Sequence, residues 1–162
     1  MSKDVDFMGF LSNKSQLLIA NKDYEIFDIN TMNQVHITYH TMDVTSVIVS
    51  ETHNRLYASS SMSPTSHFFY EFLIDPLSYY SRHFVPSNSP LLMKISPDET
   101  YIVEIHEHNL IIFYDTVTFP TVLKSISLSS LANNSLNAIQ FSENSQEIFI
   151  GIKGGTIMRI EK

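Results

Sequence analysis

MKISPDETYIVEI, residues 93–105, reads as two apolar strands folded about one polar turn, and variants of it recur along the chain. The other copies are FLSNKSQLLIA (10–20), VIVSETHNRLYAS (47–59) and IQFSENSQEIFIG (139–151). Each places a serine after an apolar residue, then polar turn residues, then an apolar strand. The serines are Ser12, Ser50, Ser96 and Ser142, spaced by 38, 46 and 46 residues. A period of about 40 residues is the mark of a blade array. The position before each serine holds Leu11, Val49, Ile95 and Phe141. The sixth after it holds Leu18, Leu56, Ile102 and Ile148, and the seventh Ile19, Tyr57, Val103 and Phe149. Three columns apolar in all four copies exceed chance in a chain that is 43% apolar.

A second β-rich run closing on an acid follows each copy: YEIFD (24–28), YEFLID (70–75), LIIFYD (110–115) and TIMRIE (156–161). A looser strand comes after the first three, at Gln34 to Tyr39, Ser78 to Phe84 and Val122 to Ile126. Unbroken runs such as Leu110 to Phe113 suit strands covered on both faces. The alternation of Val35, Ile37 and Tyr39 around His36 and Thr38 suits a strand with one wet face. The expected fold is all-β: four-stranded antiparallel propeller blades at about 5–41, 42–88, 89–131 and 132–162, in one segment spanning 1–162. SLSSLANNSL (127–136) is the nearest approach to a helix, with room for one or two turns.

The Ser96-Pro97-Asp98-Glu99 turn between apolar strands, with Leu110-Ile111-Ile112-Phe113-Tyr114-Asp115 after it, resembles the WD-repeat propellers over residues 5 to 162. The chain departs from that pattern in having no tryptophan, no Gly-His dipeptide and only four glycines. IIFYD followed by TVTFPTVLKSI is also similar to the LVIVD-repeat propellers, with Pro120 in the proline position. A weaker resemblance is to lactonase-like propellers, which would imply an enzyme.

The WD-repeat resemblance implies a scaffold or adaptor that binds other proteins or peptides and is not an enzyme. Such propellers commonly take peptides on the face formed by the connections between second and third strands. Projected here, that rim comprises Lys22, the Ser59 to Ser66 loop with Ser63, His106, His108 and Lys153. The alternatives are a lactonase-like hydrolase and a structural subunit of a large assembly. The fourth unit stops after its third strand, so the array is expected to be part of a longer propeller, or to close its ring by self-association or with another chain.

Composition narrows the chemistry. Zero cysteines exclude disulfides and thiol catalysis. The longest apolar run, Leu110 to Tyr114, is five residues, against about 20 for a bilayer span, so no membrane partner is expected. The net charge of −7, with no two basic residues adjacent, argues against nucleic acid. The start MSKDVDF has no signal-like apolar stretch. The chain is therefore expected to be intracellular, with cytoplasmic residence favoured over nuclear, and the sequons at Asn13 and Asn133 unmodified.

No cofactor, metal or catalytic residue is expected. His106-Glu107-His108 sets two imidazoles two apart, but no further ligand stands at a zinc spacing, and the segment reads as a solvated turn. His36, His40, His53, His67 and His83 read as surface or half-buried. The anchor serines read as turn residues bonding to backbone, the closing acids Asp28, Asp75, Asp115 and Glu161 as turn formers, and Gly154-Gly155 as a tight hairpin. SSSMSPTS (59–66) reads as a loop inserted between the second and third strands. Phosphorylation at Ser63-Pro64 would add about two negative charges to it.

Overall fold

The computed structural model describes residues 7–11, 16–20, 23–28, 30–31, 33–39, 44–63, 66–74, 77–85, 90–132 and 135–161. They form fifteen strands and one short 3-10 turn. The chain divides into two compact units, Met1–Val85 and Pro86–Lys162.

The first unit holds two four-stranded antiparallel meanders. One is β1 (Phe7–Leu11), β2 (Gln16–Ala20), β3 (Asp23–Asp28) and β4 (Asn33–Tyr39). The other is β5 (Val44–Ser50), β6 (Arg55–Ser63), β7 (Ser66–Ile74) and β8 (Leu77–Val85). Their core is Leu11, Leu18 and Ile26 from one sheet against Val47, Leu56, Ala58, Tyr70, Phe72 and Ile74 from the other. Residues two apart share a face, which is why Leu56 and Ala58, and then Tyr70, Phe72 and Ile74, enter it together.

The second unit has a four-stranded sheet, β9 (Pro90–Ile95), β10 (Tyr101–His106), β11 (Leu110–Asp115) and β12 (Val122–Ser127). Its other sheet has three strands, β13 (Leu136–Phe141), β14 (Glu147–Ile152) and β15 (Thr156–Glu161). Tyr101, Val103, Ile105, Ile111 and Phe113 pack against Leu136, Ile139, Phe141, Ile148 and Ile150. Each such side chain taken fully out of water contributes about 1.5–3 kcal/mol. Gly151 stands where a Cβ would come within 3.0 Å of both Ala138 Cβ and Asn137 Oδ1, at the bulge between Leu136 and Ala138.

Neighbours in every sheet are neighbours in sequence, and no sheet closes into a barrel. The chain is all-β with four blade-like antiparallel sheets, the architecture the repeats imply. The run at 127–136 makes no helix among its described residues, only a turn in which Leu131 N donates to Leu128 O (3.0 Å). The described residues of the hydroxyl-rich stretch, 59–63 and 66, are strand and not the loop expected of them. Ser59, Ser60 and Ser61 pair with Phe69, Phe68 and His67, extending β6 and β7 to nine residues each. Ser59 and Ser60 are fully buried, and the Thr45 hydroxyl donates to Ser59 O (3.0 Å).

Candidate functional site

The three described anchor serines, Ser50, Ser96 and Ser142, each build the turn at one end of a strand pair. Ser96 Oγ accepts from Tyr101 N (3.2 Å) and donates to Asp98 Oδ1 (2.6 Å). Ser142 Oγ accepts from Glu147 N (2.9 Å) and donates to Asn144 Oδ1 (2.7 Å). Ser50 Oγ accepts from His53 N (3.2 Å). These hydroxyls supply the backbone partners a tight turn lacks. Asp98 N donates to Ser145 Oγ (3.0 Å) and the Tyr101 hydroxyl to Ser145 O (2.9 Å), so the two turns of the second unit lock together. Two closing acids shape turns as expected. Asp28 Oδ1 accepts from the amides of Asn30 and Thr31 (2.9 Å each), which hold its carboxyl below the usual range. Asp115 Oδ1 accepts from Val117 N and Thr118 N at 2.8 and 2.7 Å. Ser12 and Asp75 lie outside the described residues.

The opposite end of the second unit carries the connections between second and third strands. Between β10 and β11 the chain makes a 3-10 turn, Glu107–Asn109, with His108 and Asn109 left-handed at φ 60° and 58°. Asparagine tolerates that conformation. The Asn109 side chain is buried. Its Nδ2 donates to Ala132 O (2.7 Å), its Oδ1 accepts from Ser135 N (2.9 Å), and its main-chain oxygen accepts from Leu128 N (3.1 Å). Between β14 and β15 the turn is Lys153-Gly154-Gly155, whose glycines have φ of 103° and 89°. Lys153 N donates to Ser135 O (2.7 Å). Ser135 thus receives Lys153 from one sheet and answers Asn109 of the other.

Of the rim residues read from the sequence, the structure brings His108 and Lys153, both exposed, to this one end. Ser63 ends β6, with its side chain outside the described set, and Lys22 lies outside the described residues. His106 departs from the solvated-turn reading. It is the last residue of β10, not a turn residue, and its imidazole is fully buried. His67 is likewise buried, its Nδ1 3.1 Å from Ser60 O, while His53 and His83 are half-buried.

What the sequence reading missed is the companion of His106. Ile102, Glu104 and His106 alternate along β10 on the face opposite Tyr101, Val103 and Ile105, and Glu104 is also fully buried. Glu104 Oε2 lies 2.6 Å from His106 Nε2. That is ion-pair distance, although the angle is not that of a directed hydrogen bond. The Tyr114 hydroxyl, on the paired strand, lies 3.4 Å from the same carboxylate oxygen. Burial, and then the Glu104 charge, push the Tyr114 phenol far above its ordinary range. An acid and an imidazole two apart in an otherwise apolar strand were the available signal.

The first unit carries a second buried acid. Glu71 on β7 receives Arg55 Nη1 at 2.7 Å on Oε1 and the Ser81 hydroxyl at 2.8 Å on Oε2, and Ser81 Oγ is also 2.8 Å from His83 Nε2. Among the described residues no three His, Asp or Glu side chains converge as a metal site. The sequence matches no family model and no curated protein.

Proposed function

We propose that this chain is a non-enzymatic binding module built of WD-repeat-like propeller blades, and that it holds segments of other proteins against the strand-connection end of its sheets. The observation that carries the reading is the Asn109–Ser135–Lys153 network, which fixes two connections on one end of two adjacent sheets and leaves His108 and Lys153 exposed beside each other's support. A pre-organised rim lowers the ordering cost of binding, and loops on a rigid scaffold are where binding residues concentrate. The hydrolase alternative needs a carboxylate and an imidazole both open to substrate, whereas Glu104 and His106 are wholly buried, and Glu71, which meets half-buried His83 through Ser81, is itself buried and engaged by Arg55.

The test is a peptide library titrated against the folded chain and against the His108→Ala/Lys153→Glu variant. Library members that bind the parent should lose about tenfold or more in affinity on the variant, a loss of about 1.4 kcal/mol, with the circular dichroism spectrum unchanged. Binding indifferent to both substitutions, or a stoichiometric metal ion with ester hydrolysis in the purified protein, overturns the proposal.

A further inference from the structure

The network around Ser135 engages its acceptors and leaves donors exposed. The carbonyl oxygens of Asn109, Ala132, Ser135 and Ile152 already accept, from Leu128 N, Asn109 Nδ2, Lys153 N and Gly155 N in turn. The Asn109 side-chain oxygen is likewise taken, by Ser135 N. Left exposed among the described residues are the Lys153 ammonium, which pairs with no carboxylate, and the Gly154 amide, which donates to no acceptor. Gly154 has a φ of 103°, and no atom lies within 4 Å of where its Cβ would stand, so its main chain is open to close approach. His108, exposed on the other connection, carries an imidazole N–H in either protonation state. The charge of the second unit runs the same way. Asp98, Glu99, Asp115, Glu143, Glu147 and Glu161 all sit at the anchor-turn end of its sheets. Glu104 is buried within β10, and the described carboxylate at the connection end is Glu107, half-buried and next to His108 in the chain. An anion is repelled from one end and met by Lys153 at the other.

From this we infer that the rim takes segments of other proteins that carry an aspartate or glutamate side chain, with the carboxylate set against the Lys153 ammonium and the Gly154 amide and with His108 beside it. The inference rests on the reading of this end as a binding rim, and it names the chemistry of what binds there. A hydrogen bond from an ammonium to a carboxylate is about twice as strong as one between neutral groups. It also selects, because an uncharged amide side chain in the same place gains only the weaker bond. A phosphate fits less well. Phosphate sites are built on bidentate guanidinium groups or several converging donors, and the described donors here include no guanidinium. Glu107 also repels a dianion about twice as strongly as a monoanion.

The test titrates the whole chain with fluorescent peptide libraries randomised around one fixed central residue, which is glutamate, glutamine or phosphoserine. The inference expects binders in the glutamate library that lose about tenfold in affinity when glutamine replaces their central residue. Lys153→Gln should cost the same peptides about tenfold, whereas Glu107→Gln should strengthen them about twofold by removing a repulsion. Opposite signs at these two positions are what a carboxylate site requires, and a general loosening of the rim would weaken binding at both. Glutamate and glutamine peptides bound equally well overturn this inference and leave the rim reading standing, while no binding from any library overturns both. A preference of about tenfold or more for phosphoserine over glutamate overturns the assignment to a carboxylate. An oligomer by light scattering that Lys153→Gln dissociates would put the acids of a second copy on the rim, and overturns the assignment to other proteins.

Discussion

Each unit buries one glutamate in a middle strand, and the two are held differently. Glu71 on β7 takes a guanidinium on one oxygen and a serine hydroxyl on the other. Arg55 keeps 24% of its side chain in water, so this pair is a partly solvated clamp whose cation never loses its charge. Glu104 on β10 has an imidazole and a phenol beside it, with the carboxylate and the imidazole both at 0% exposure. An imidazole can shed its proton and a guanidinium cannot. The two units therefore set different kinds of group against a buried acid, a guanidinium in one and an imidazole in the other.

The largest effect should come from removing the imidazole beside the fully buried acid. His106→Ala takes away the group 2.6 Å from the Glu104 carboxylate and is expected to cost about 3–5 kcal/mol in urea unfolding. Glu104→Leu combined with His106→Leu should recover much of that loss, because a well-packed apolar replacement avoids the desolvation penalty. If His106→Ala cost less than about 1 kcal/mol, the contrast between the two acids would be broken. Arg55→Ala should cost less, about 2–3 kcal/mol, since water can reach the carboxylate through the space the guanidinium vacates.

A third expectation concerns pH. The Tyr114 phenol has its folded value raised by burial and by Glu104. The unfolded chain therefore gives up this proton first, at about pH 10. The contribution is complete below that pH and falls above it by about 1.4 kcal/mol per pH unit. Tyr114→Phe should flatten the alkaline limb of the stability curve by one proton, and an unchanged slope would mean the phenol already meets water. The smallest effect should be Ser81→Ala, which removes one of the two polar partners of Glu71 named above and should cost about 1–2 kcal/mol. A larger loss than for Arg55→Ala would show that the hydroxyl, not the guanidinium, is the main support of that acid.

The all-β class was legible because its signal is local and repeated. Ser50, Ser96 and Ser142 bond within five residues of themselves, and the apolar columns around them are fixed by a strand period of two. The anchor turns therefore matched their reading. Ser59, Ser60 and Ser61 were misread because their partners, Phe69, Phe68 and His67, are set by a pairing register that composition does not display. His106 was misread for a related reason. Its sequence neighbours Glu107 and His108 looked like a polar turn, while its surroundings come from Glu104 one pleat back, whose carboxylate also meets the Tyr114 hydroxyl of the next strand. Asn109 drew no attention in the sequence, although its bonds to Ala132 and Ser135 organise the rim. Bonds more than twenty residues long leave no local trace.

The strictly sequential order of strands bears on how the chain comes to be folded. All-β proteins tend to fold slowly because their pairings join distant parts of the chain. Among the described residues every ladder joins a strand to the one just before or after it, so each sheet needs only short hairpins to form. A growing polypeptide could finish one sheet while the next is still being synthesised, exposing few unmatched strands at any moment. The residue order that makes the repeats visible on paper also makes the chain ready to assemble in the order it is made.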